Sequence, residues 1–182
     1  MKLRVHVTGA SGAGVTTLGR ALADALAAPH HDTDDYFWLP TEPPYRLQRP
    51  VSDRLRLMHE LFVPRAAWVL SGSVGSWARE LEVCFDRVVY VSAPTEIRLA
   101  RLRHREDLRN RKRPPDDVDG RRQATEEFFA WAASYDDPAF SGRSRAHHEA
   151  WLGTLRCPVA QLDGTRPTQE LVASLLSAWQ AS

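Results

Sequence analysis

The sequence predicts a three-layer α/β/α fold around a five-stranded parallel sheet. β-rich segments alternate with amphipathic helical segments along the 182 residues, a pattern that builds a parallel sheet covered on both faces. A strand, a glycine-rich turn and a helix start meet at Gly9-Ala10-Ser11-Gly12-Ala13-Gly14-Val15-Thr16-Thr17. The other polar motifs also follow strands, and α/β sheets bind ligands at that edge.

Alternation in Leu3-Arg4-Val5-His6-Val7 predicts a first strand over about Lys2–Thr8. Leu18, Leu22, Ala25 and Leu26 predict a helix over about Val15–Ala27, ended by Pro29. A short second strand is expected to close at His31–Thr33. Pro40, Pro43, Pro44 and Pro50 exclude a regular helix or central strand and predict a rigid loop carrying Tyr45, Arg46 and Arg49. Ser52 is expected to cap a helix whose apolar face is Leu55, Met58 and Phe62. Ala67–Gly72 reads as a buried strand, and Trp77 and Leu81 start a short helix. Arg87–Val91 is the fourth strand, and Pro94 opens a helix whose less polar stripe is Ile97, Ala100, His104 and Leu108. After a polar link at Pro114–Gly120, a helix returns over Arg121–Tyr135 with Phe128, Trp131 and Tyr135 on one face. Asp136–Gly142 is a loop, Ser144–Leu155 a helix and Pro158–Leu162 the fifth strand. Thr168 caps a last helix carrying Leu171, Val172, Leu175, Leu176 and Trp179.

The length suits one domain. Hydrophobic content of 43% and charged content of 26% are ordinary for a globular chain. A formal net charge of +1 gives no global pull toward nucleic acid or membrane. Of 24 basic residues only Lys2 and Lys112 are lysines, so guanidinium groups carry the positive chemistry. Arginine is the better bidentate partner for phosphate. Cys84 and Cys157 form no Cys-x-x-Cys pair, which argues against a zinc site and fits a reducing compartment. No signal-peptide core and no apolar run near ~18 residues is seen, so a cytoplasmic location without membrane insertion is expected.

Gly9–Thr17 has the spacing of a phosphate-binding loop, Gly-x-x-x-x-Gly-Lys-[Ser/Thr], with Val15 at the lysine position. Gly9, Ser11, Gly12, Ala13, Gly14, Val15, Thr16 and Thr17 are the candidate nucleotide contacts. Their amides and the helix start favour an anion. Thr16 occupies the place of a Mg²⁺-ligating hydroxyl. Asp32, Asp34 and Asp35 follow the second strand. In an extended strand Asp32 and Asp34 share a face, suited to metal or to an acceptor hydroxyl. A solvated acidic turn with aspartate as a cap is the bland alternative. Tyr36, Phe37 and Trp38 serve either a core or a stacking surface. Gly72 and Ser73 line a small polar turn that either approaches a ligand or only turns the chain. Arg98, Arg101, Arg105 and Arg109 recur at spacings of three and four, forming one ridge that continues toward Arg113. Pairing with local acids such as Glu106 and Asp107 is its bland alternative.

Thr8–Gly12 also resembles the opening of the extended short-chain dehydrogenases. The third glycine of that pattern falls on Val15, however, and no Tyr-x-x-x-Lys pair is present. Across nearly the whole chain the sequence resembles the small P-loop kinases, which include adenylate kinase, other nucleoside monophosphate kinases and shikimate kinase. Asp32-Thr33-Asp34 is similar to the shikimate-kinase Asp-Ser-Asp pattern. The run on to Trp38 resembles an adenylate-kinase-like group. The resemblance implies the P-loop nucleoside triphosphate hydrolase fold, an acceptor-site insert at about 36–65 and an arginine-bearing lid at about 105–122. It implies transfer of a phosphoryl group from ATP, with Mg²⁺, to a small-molecule or nucleotide acceptor. Thr16 and Asp34 would serve the metal. Asp34, Arg105 and Arg109 would be catalytic, and Asp32, Asp35, Gly72 and Ser73 would face the acceptor. With Val15 in place of lysine, a nucleotide-binding protein with little or no turnover is the second expectation.

Valine supplies no charge to the β- and γ-phosphates, so transition-state charge has to be met elsewhere. At least one of Arg105→Ala and Arg109→Ala should lower kcat far more than ATP affinity, since a delivered arginine is worth ~10³-fold or more in rate. Val15→Lys should tighten ATP binding without a matching gain in kcat. Comparison of kcat and Kd for the three variants checks both expectations.

Overall fold

The computed structural model describes residues 2–42, 44–111 and 118–181. Five parallel strands, β1 (Arg4–Gly9), β2 (His30–Asp32), β3 (Trp68–Ser71), β4 (Arg87–Ser92) and β5 (Val159–Asp163), form one sheet in the order β2-β3-β1-β4-β5. The order reverses beside β1, so the loop after β1 opens at the switch point where doubly wound sheets bind ligands. The helices are α1 (Val15–Leu26), α2 (Thr33–Phe37), α3 (Val51–Leu61), α4 (Thr95–Asn110), α5 (Val118–Ala133), α6 (Arg145–Leu152) and α7 (Thr168–Gln180). A 3₁₀ segment covers Gly75–Cys84.

Strand alternation sorts the sheet into two cores. Val5, Val7, Val69, Val89 and Val91 face α1 and α7 and pack with Leu18, Leu22, Leu171 and Leu175. Trp68, Leu70, Val88 and Tyr90 face the other way and pack with Met58, Phe62, Leu81, Phe85 and Leu152. Residues two apart share a face, so β-branched and aromatic residues in these strands bury both sides of the sheet.

Several local expectations change. β2 stops at Asp32 because Asp32 becomes the N-cap of α2, its side chain accepting the Asp34 amide. Asp32 and Asp34 therefore do not share a strand face. Ser52 does not cap α3: Pro50 precedes the helix, and its carbonyl takes the Asp53 and Arg54 amides. Pro167, not Thr168, holds the equivalent place before α7. In α4 the expected apolar stripe is inverted. Ile97 and Leu108 are exposed, while Arg98 and Leu102 are buried. Lys112, Arg113 and most of the polar link expected at Pro114–Gly120 lie outside the described residues.

On β1, His6 is fully buried, stacks on Phe85 with ring centroids 4.9 Å apart, and uses Nδ1 against the Leu70 carbonyl at 3.0 Å. Desolvation lowers its pKa from 6.5 to about 4. Between those values the unfolded chain binds a proton that the folded chain refuses, so stability falls as pH drops through this window. His148 is lowered to about 3 by burial and acts in the same direction. His6→Phe keeps the ring stack and removes one titration. The loss of Tm between pH 7 and pH 5 should therefore be smaller in the variant, as measured by thermal unfolding at both pH values.

Candidate active site

β1 delivers the chain into the loop, and Gly14 precedes α1 at φ 103°. Gly12 has φ +83°, and a Cβ there would lie 2.5 Å from the Arg98 carbonyl oxygen, so only glycine lets the loop rest on α4. The first amides of α1 have no helical partner and point out of its N-terminus.

Thr16 lies in the first turn of α1. Its Oγ1 donates to Asp32 Oδ2 at 3.0 Å, while Asp32 Oδ1 accepts the Asp34 amide at 3.1 Å. One carboxylate thereby ties the start of α1 to the β2–α2 corner. No group of three or more His, Cys, Asp or Glu side chains suited to a metal occurs among the described residues. A hydroxyl beside a single carboxylate still fits Mg²⁺, which keeps several waters and takes its other oxygens from substrate phosphates. The Thr16–Asp32 pair fits that ion better than the expected Thr16–Asp34 pair, because Asp32 is the acid that reaches Thr16.

Asp34 and Asp35 line a cleft of about 610 Å³ with Trp38, Tyr45 and Arg49. Burial first, and then the Asp32 carboxylate, push the Asp34 carboxyl above its ordinary range; Arg143 and a hydrogen bond from Trp38 oppose the shift. Asp35 is raised by the same two causes. The proline-rich wall is fixed from within. Arg49 Nε donates to the Tyr36 carbonyl at 3.0 Å, and the Arg54 guanidinium lies 3.8 Å over the Phe37 ring while donating to the Arg49 carbonyl. Tyr36 is core, hydrogen-bonded to His31 Nδ1 at 2.8 Å. Trp38 faces the cleft.

The arginine ridge divides into separate tasks. Arg98 is a buried strut, donating to the Ala93, Ser11 and Ala132 carbonyls, to Thr95 and to Asp136. Arg101 lies along the loop, with Nη2 donating to the Gly164 carbonyl at 3.0 Å, and borders a second cleft of about 230 Å³ with Ala13, Gly14, Thr17 and Arg166. Burial, and then Arg109, lower the pKa of the Arg105 guanidinium, and Tyr45 and Asp34 oppose the shift. Arg109 lies 5.7 Å over the Tyr45 ring and pairs with Glu106 at 3.6 Å. Arg105 and Arg109 are thus placed beside Tyr45, which lines the Asp34 cleft.

Gly72 and Ser73 have structural partners. A side chain on Gly72 would overlap Thr33 Oγ1, and the Ser73 amide already donates to that oxygen at 3.1 Å. Val15 packs against the core between α1 and the sheet. The residue that sequence reasoning missed is Arg143. Its Nη2 donates to Ser11 Oγ at 2.7 Å, and its guanidinium lies 4.9 Å over the Trp131 ring. Its only local signal was a lone arginine in Ser141-Gly142-Arg143-Ser144, a short polar turn before a helix.

No family model matches the chain. In fold it is similar to a gluconokinase from Sinorhizobium meliloti 1021, with a TM-score of 0.54, 18% identity and coverage of 97% of this chain and 90% of that one. A shikimate kinase from Acinetobacter baumannii, solved in complex with shikimate, gives a TM-score of 0.53 at 21% identity, covering 98% and 93%. One from Bacteroides thetaiotaomicron gives 0.54 at 16% identity, covering 98% of each chain. The sheet order, the glycine loop and these neighbours define a chain with the small P-loop kinase fold. In sequence it is 37% identical over 179 residues, 97% of each chain, to the uncharacterized protein YqaC of Bacillus subtilis (strain 168). The chain belongs to the YqaC family.

Asp32→Asn separates capping from metal binding, because asparagine caps a helix about as well as aspartate. The variant should keep the parent Tm but lose ~10- to 100-fold in Mg·ATP affinity, with little change for metal-free ATP. Thr16→Ala should show the same metal-dependent loss. Calorimetric titration with and without Mg²⁺ checks both.

Proposed function

We propose that this chain transfers the γ-phosphoryl group of Mg·ATP to a hydroxyl of a small acceptor seated in the Asp34 cleft. The observation that carries this reading is the Thr16–Asp32 hydrogen bond at 3.0 Å, at the end of a glycine loop and two residues before Asp34. Loop amides between Gly9 and Thr17 hold the triphosphate. Thr16 and Asp32 would hold Mg²⁺, which when bound neutralises phosphate charge. Asp34 accepts or orients the acceptor proton, its raised pKa bringing it closer to the range useful for a base. The acceptor oxygen forms a bond to the γ-phosphorus, the bond to the β–γ bridging oxygen breaks, and ADP leaves. Arg105 and Arg109 stand over the acceptor side of the cleft, where a closing segment would exclude water. Asp35, Trp38 and Tyr45 shape the acceptor wall. Trp38 and Tyr45 fall within the stretch near 36–65 that is expected to form an acceptor-site insert.

Val15 favours a second reading, a nucleotide-binding protein with little or no turnover. A coupled ADP-release screen over nucleoside monophosphates, nucleosides and small hydroxy acids separates the two. A product with any of them supports phosphoryl transfer, and ATP binding without turnover on all of them supports the second reading. With an active acceptor, Asp34→Asn should lower kcat by ~10²- to 10⁴-fold while Tm and ATP affinity stay near those of the parent. The parent rate should rise with pH through a pKa above the ordinary aspartate value, and this limb should vanish in the variant. Equal rates for parent and variant would remove Asp34 from the mechanism.

A further inference from the structure

We infer that Arg143 supplies the fixed positive charge that Val15 cannot, contacting the terminal phosphate of the nucleotide. The inference rests on the phosphoryl-transfer reading and adds to it a residue and a role. Position 15 supplies no charge, and the half-buried valine side chain packs against the core shared by α1, α7 and the sheet. Arg143 arrives from the far end of the chain, just before α6, and donates Nη2 to Ser11 Oγ in the middle of the loop at 2.7 Å. Its Nε is buried without a hydrogen-bond partner among the described residues. A buried N–H of this kind is costly unless a ligand uses it. Asp34 favours the Arg143 charge and Arg143 in turn opposes the rise of Asp34, so the guanidinium lies within electrostatic reach of the acid while it touches Ser11. The phosphoryl group has to pass between the loop and the Asp34 cleft, and Arg143 stands at that boundary. Guanidinium geometry suits two phosphate oxygens at once. The Trp131 ring lies under the guanidinium at 4.9 Å.

Calorimetric titration of Mg·ATP and Mg·ADP into the parent, Arg143→Gln, Arg143→Lys and Arg103→Gln tests this. The Arg103 guanidinium sits 5.9 Å over Phe129, so its loss controls for net charge. Expected is a ~10- to 100-fold loss of Mg·ATP affinity in Arg143→Gln, a clearly smaller loss for Mg·ADP, an intermediate value for Arg143→Lys and no change for Arg103→Gln. Equal losses for both nucleotides, with a lowered Tm, would make Arg143 a loop strut and overturn the inference. Unchanged Mg·ATP affinity in Arg143→Gln would overturn it as well, while leaving the phosphoryl-transfer reading intact. A parent that binds neither nucleotide would bring down both.

Discussion

The constraint on which this structure turns is the buried guanidinium of Arg98. A cation sealed from water is tolerated only when its donors are met. Here they are met by carbonyls from three places, Ser11 in the glycine loop, Ala93 after β4 and Ala132 near the end of α5, together with Thr95 and the carboxylate of Asp136. Asp136 also holds Arg145 at 2.7 Å. One side chain therefore fixes the loop against α4 and fixes the segment that leads to α6. Gly12 resting on the Arg98 backbone is the other half of the same contact.

The chain that follows α5 inherits its position from that clamp. The segment anchored by Asp136 and Arg145 is the one that brings Arg143 onto Ser11. Its far side is held by the buried chain of hydrogen bonds from Tyr90 through Tyr135 to His148. Opposite, Asp32 joins α1 to α2 through Thr16 and the Asp34 amide. The loop is thus gripped on one side by an arginine and on the other by an aspartate. Two side chains of opposite charge, from distant parts of the chain, set the position of the loop.

The arginines of α4 show how one sequence pattern separates into different functions. Spacing places Arg98, Arg101, Arg105 and Arg109 along one side of a helix, and nothing in the spacing tells them apart. Depth does. Arg98 enters the core, Arg101 lies on loop and turn carbonyls, and Arg105 and Arg109 reach the rim beside Tyr45. Successive turns of the helix meet different neighbours.

The sequence by itself determined the layer architecture, the five strands and the glycine-rich turn between β1 and α1, because strand alternation, glycine spacing and helix periodicity are local signals. It also placed Thr16 and the acidic run at the ligand edge. Only the tertiary structure decided which acid meets Thr16. The local alternation favoured Asp32 and Asp34 together, but capping turned the chain into α2 and left Asp32 alone against the hydroxyl. Only the tertiary structure removed Gly72 and Ser73 to a turn held by Thr33, and only it brought Arg143 to Ser11 across 132 positions of sequence. Periodicity describes the face a residue occupies within its own element. Which distant element that face meets depends on how the sheet order and the buried guanidinium fold the chain back on itself.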